Sequence, residues 1–154
     1  MGTSNYRIFA FLSVALLFGC KVRENPYAKD TKLFNKYLKL KNISAPINKN
    51  CIFILTSSNS CLGCKSITYN FFDTVNSENI YLLTSDYSVL KQFPRLKNKI
   101  YYDSTGVLER MGLPLPDVCA IYYKNNNIVH MKLLNPEHPY NIIRCIETWI
   151  HSSQ

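Results

Sequence analysis

Six consecutive residues, Cys51-Ile52-Phe53-Ile54-Leu55-Thr56, carry no charge and no strongly polar side chain before the closing threonine. A short run this rich in strand formers reads as a β-strand buried on both faces, because a strand with one wet face alternates apolar and polar residues. Covering both faces takes layers above and below the sheet, so the run points to an α/β domain. The polar turn Ser57-Ser58-Asn59-Ser60 follows, with Ser60 as the expected cap of the next helix. In that helix Ile67, Phe71 and Val75 recur every fourth residue. Ile80-Tyr81-Leu82-Leu83-Thr84 is a second strand, residues 87–97 read as helical around Pro94, and Ile100-Tyr101-Tyr102 is a short extended piece. Residues 105–111 form a turn or short helix. Two further strands, 118–123 and 128–133, flank Lys124-Asn125-Asn126-Asn127, a hairpin connection suited to asparagine because asparagine tolerates positive φ. Ile142, Ile143, Ile146, Trp149 and Ile150 form the apolar stripe of a closing helix. The order βαβα, hairpin, helix gives a mixed sheet with flanking helices.

The size of the chain, 154 residues with 47% hydrophobic and 18% charged side chains, suits one folded domain. Its net charge of +8 raises the question of nucleic acid. Residues 21–49 carry eight basic side chains against two acidic ones, whereas residues 50–154 carry nine against eight. A nearly neutral domain behind a basic leader argues against a nucleic-acid-binding face.

The leader itself reads as an export signal. Arg7 and the amino terminus make a positive start, and residues 8–19 hold Ser13 as their one polar side chain. Twelve helical residues rise roughly 18 Å, short of the ~30 Å hydrocarbon core, so this is a signal-peptide segment and not a spanning helix. Leu17-Phe18-Gly19-Cys20 resembles a bacterial lipobox, with Phe18 where a smaller residue is usual; the resemblance implies lipidation of Cys20 and attachment to a membrane. Residues 1–19 are thus the expected signal peptide, 20–47 a basic tether with a first helix built on Leu33, Phe34, Tyr37 and Leu38, and 48–154 the folded domain. Lysines beside a lipid anchor favour an anionic membrane surface, and a plain solvated helix face accounts for them equally well.

Cys61-Leu62-Gly63-Cys64 falls where the first buried strand hands over to a helix. Two cysteines three apart in a first helical turn share a face and can close a disulfide. The first sits at the positive helix end, where backbone N–H groups stabilise a thiolate. An exposed reactive thiol with a resolving neighbour is the requirement for thiol–disulfide exchange. In these features the chain resembles the thioredoxin-like superfamily, in particular the membrane-tethered thiol–disulfide oxidoreductases of bacterial cell envelopes. The likeness extends through Asp103-Ser104-Thr105-Gly106-Val107 and Met111-Gly112-Leu113-Pro114-Leu115-Pro116 to the hairpin. It implies a three-layer fold, Cys61 as nucleophile, Cys64 as resolving thiol, and Pro116 as a cis-proline lining the substrate groove with Leu115, Pro114 being the alternative. It also implies envelope protein thiols or disulfides as substrates, an upstream redox partner and no dissociable cofactor. The chain departs from the family pattern at Ser60, where an aromatic residue is common; at Gly63, commonly proline; at Leu55, often a proton-accepting carboxylate; and at Leu115, often β-branched.

With Cys20 lipidated and Cys61 paired to Cys64, Cys51, Cys119 and Cys145 remain, an odd set for an oxidising compartment. Cys119 and Cys145 read as packing residues, with Cys51 able to pair with either. Two thiolates with His130 or His138 would suit copper or zinc, so copper delivery is one alternative function. The other is a non-catalytic surface lipoprotein that uses the fold as a binding module. No proline lies between Ile47 and Ser60, as a Pro-x-x-x-Thr/Ser-x-x-Cys peroxidase arrangement would need. Neither a Gly-x-Ser-x-Gly elbow nor a glycine-rich phosphate loop is present.

Overall fold

A computed structural model describes residues 25–44, 50–113 and 117–152. The first helix, α1 (Ala28–Leu40), precedes β1 (Cys51–Thr56), α2 (Leu62–Thr74), β2 (Ile80–Thr84), α3 (Ser88–Gln92), a 3-10 segment (Pro94–Lys99) and β3 (Ile100–Tyr102). A short α4 (Val107–Arg110), the hairpin β4 (Val118–Lys124) and β5 (Asn127–Leu133), and α5 (Tyr140–His151) complete the order. Five strands form one sheet in the order β3-β2-β1-β4-β5. β1 pairs in parallel with β2 and antiparallel with β4, which places it at the centre. Every residue of β1 is buried, as a strand with helices on both sides requires.

Alternation along the strands divides the core into two. Ile52, Ile54, Leu82, Ala120 and Tyr122 face one way and meet Phe72 of α2 and Ile142 and Ile146 of α5. Cys51, Phe53, Leu55, Cys119 and Ile121 face the other way and meet Phe34, Tyr37 and Leu38 of α1 and Leu108 of α4. The result is a mixed sheet between two helical layers, consistent with a thioredoxin-like three-layer fold.

Three local expectations are corrected. The helix expected with the tether belongs to the core, because Phe34 of α1 inserts edge-on against Phe53 at 5.2 Å and Tyr123 at 5.7 Å. The buried face of α2 is Cys64, Lys65, Thr68, Tyr69 and Phe72, whereas Ile67, Phe71 and Val75 are only partly covered. Tyr69 can turn inward because its hydroxyl meets Thr56 Oγ1 at 3.1 Å. Ser60 does not cap α2; Cys61 occupies that position. The hairpin follows the asparagine chemistry, with Asn125 and Asn126 at φ 49° and 60° as a two-residue turn of left-handed residues requires.

Among the described residues no helix is long and apolar enough to cross a membrane. The expected signal peptide, Cys20, and Pro114, Leu115 and Pro116 all lie outside the described residues.

Candidate functional site

The carboxyl end of β1 delivers the chain to the site. Thr56 is buried and fixed by its hydrogen bond to Thr84 Oγ1 on β2 (2.9 Å), so the loop leaves from a rigid base. Ser57 N–H donates to Ser60 Oγ at 3.0 Å, closing a tight turn. Lys65 pins this loop from α2, its Nζ donating to the Ser58 carbonyl at 3.2 Å and to Asp86 Oδ2 at 3.0 Å. From α4, Glu109 Oε1 accepts from Ser58 Oγ (3.1 Å) and Ser85 Oγ (2.6 Å). The Ser85 hydroxyl, helped by Ser58 and opposed by burial, holds Glu109 below the usual carboxylate range. Burial opposes ionisation of Asp86 as well, but hydrogen bonds from Ser88 and Lys65 prevail and hold its carboxyl low.

On this frame Cys61 and Cys64 are joined as a disulfide with their Cα atoms 5.3 Å apart. Cys61 is exposed, and Cys64, at 4% exposure, belongs to the core between the sheet, α2 and α5. The Cys64 N–H donates to Cys61 Sγ at 3.1 Å, so a first-turn amide of α2 points at the outer sulfur. That is the orientation that stabilises charge on Cys61 once the bond opens. Leu62, between them, is 82% exposed.

Asp117 was missed from sequence. The Cys61 N–H donates to its Oδ1 at 3.1 Å, and the Ser60 hydroxyl donates to its backbone carbonyl. Its carboxylate and the sulfurs of Cys61 and Cys64 lie within 4.8 Å of one another. The signal for it was long-range: in the antiparallel register Thr56 pairs with Val118, so the residue before β4 comes level with the turn after β1. Leu55, where the thioredoxin-like resemblance implies a carboxylate in other chains, faces the opposite core and is fully buried among apolar side chains.

That trio is the one convergence of metal-ligating atom types among the described residues, and neither His130 nor His138 joins it. With both sulfurs bonded to each other it is a disulfide beside a carboxylate. His130 instead stacks against Tyr122 and Trp149, each at 6.1 Å. Cys119 and Cys145 keep free thiols, so neither pairs with Cys51. Burial pushes the Cys119 thiol up to about 12 and makes it inert at neutral pH.

No family model matches the chain, and no curated protein matches it.

Proposed function

We propose that this chain performs thiol–disulfide exchange on proteins of a bacterial cell envelope, as an exported domain anchored by lipid on Cys20. The observation that carries the reading is an exposed Cys61 bonded to a buried Cys64 at the start of a helix. A partner reaches only the outer sulfur, so attack and release are assigned by access. Cys61 forms the mixed disulfide, and Cys64, three residues on and covered, displaces the partner from it. Exposed Leu62 gives a partner an apolar contact beside the reacting bond. Pro116 and Leu115 directly precede Asp117 in the chain and are the proposed substrate-groove residues. No dissociable cofactor is required, since the two sulfurs carry the electrons, and an upstream thiol partner resets the pair.

The test is a trap. Cys64→Ser leaves the first attack intact and removes the resolving sulfur, so Cys61 accumulates mixed disulfides with envelope proteins. These adducts dissolve on adding reductant and are missing from Cys61→Ser. A folded Cys64→Ser variant that captures nothing above background contradicts the exchange reading and favours the binding module.

A further inference from the structure

We infer that the Asp117 carboxylate sets the redox poise of the Cys61–Cys64 pair and makes it a donor of electrons to partner disulfides; this rests on the exchange reading and adds its direction. Once the two sulfurs are reduced, nearby charge decides how stable a thiolate is at either of them. Two influences meet there. The first turn of α2, a 13-residue helix, directs the Cys64 N–H at Cys61 Sγ and favours a thiolate. Asp117 brings a full negative charge within 4.8 Å of both sulfurs and opposes it.

The other charged groups of the site do not offset that carboxylate. Lys65 of α2, next to Cys64, is committed to Asp86 and to the Ser58 carbonyl. Asp86 before α3 and Glu109 of α4 are themselves anionic, held by Lys65 and Ser88 and by Ser58 and Ser85. Among the described residues no cation forms an ion pair with Asp117. A thiolate is therefore costlier at this pair than the helix terminus alone would make it. A reduced form whose thiolate is disfavoured holds its electrons less tightly, so the carboxylate drives the pair toward the disulfide and toward donation.

The Cys61 thiolate attacks one sulfur of a partner disulfide; a Cys61–partner S–S bond forms, the partner's own S–S bond breaks, and its second sulfur leaves as a thiolate. Cys64 loses its proton to water and attacks Cys61 Sγ, closing the Cys61–Cys64 bond and releasing the first partner sulfur. The partner sulfurs take up protons from water. In net, two electrons and two protons pass from the domain dithiol to the partner, and a thiol reductant later restores the dithiol.

Asp117→Asn separates charge from shape, since the amide oxygen still accepts from the Cys61 N–H. The full chain is equilibrated with mixtures of reduced and oxidised dithiothreitol, quenched by alkylation, and the peptides carrying Cys61 and Cys64 are weighed. The oxidised fraction of Asp117→Asn falls relative to the original chain, and the gap depends on pH. The gap widens as pH rises, because the carboxylate acts on the thiolate and hardly on the neutral thiol, and near pH 9 the two chains differ by roughly tenfold, or ~30 mV. Asp117→Glu, which keeps the charge, stays close to the original, and Asp117→Ser, which lacks it, moves with Asp117→Asn. Coincident curves at every pH, a shift of opposite sign, or a shift of equal size at all pH overturns the inference while leaving exchange in place. A pair that does not equilibrate with dithiothreitol at all overturns both.

Discussion

Asp103 keeps its carboxyl out of solvent and still carries a charge, because Lys41 lies 2.5 Å away and the Leu108 and Thr105 amides donate to it. Burial works against ionisation, and these donors, Lys41 foremost, overcome it and hold the carboxyl below its ordinary value. A depressed folded-state value stabilises the fold at pH above the unfolded carboxylate's value, and that stability drains away as pH falls through the acid range toward the folded value. Lys41→Ala leaves the buried carboxylate with the Leu108 and Thr105 amides and the Thr105 hydroxyl but no cation, and costs about 2 kcal/mol near neutral pH. Denaturant unfolding of variant and original at neutral pH and in acid checks this, the difference shrinking in acid as Asp103 takes up its proton. Residues whose role depends on near neighbours were legible in the sequence: Cys61 and Cys64 announce themselves by spacing and by the strand ahead of them. Asp117 was not, nor was the bond from the Ser60 hydroxyl to its carbonyl, because both depend on the register of β4 on β1, which no local pattern encodes.

α1 joins the core through an aromatic cluster in which Phe34 meets Phe53 and Tyr123, while Asn35 Nδ2 donates to the Asn126 carbonyl of the hairpin turn. Phe34→Ala empties the centre of that cluster and destabilises the fold by about 3–5 kcal/mol, read as a lower denaturant midpoint. The Cys61–Cys64 pair, on the far side of β1, keeps its dithiothreitol equilibrium as long as the variant is folded. The apolar stripe of α1 was visible in the sequence, and its lysines suited either an anionic membrane surface or a solvated helix face. Those lysines line the solvent side of a packed helix. For α2 the period was legible and the phase was not: the helix turns Thr68 and Tyr69 inward because Thr56 and Thr84 form a polar spot beneath it, where Tyr69 finds a partner. Where chemistry was local, as in the two left-handed asparagines of the hairpin, sequence and structure agree.

At the scale of the molecule, the central strand does two jobs. Its two faces anchor both halves of the core, and its carboxyl end carries the turn that presents Cys61. α2, α4 and the start of β4 converge there through Lys65, Glu109 and Asp117, so the disulfide stands on a rigid frame. The proposed function rests on a division of labour between an outer sulfur that reacts with partners and an inner sulfur that resolves. The measurement that bears on it most directly is alkylation of the reduced full chain at neutral pH, with each cysteine followed by peptide mass. Cys61 is predicted to label first, Cys64 well behind it, and buried Cys119 only on unfolding. Faster labelling of Cys64 than of Cys61, or a Cys61 as inert as Cys119, contradicts the account.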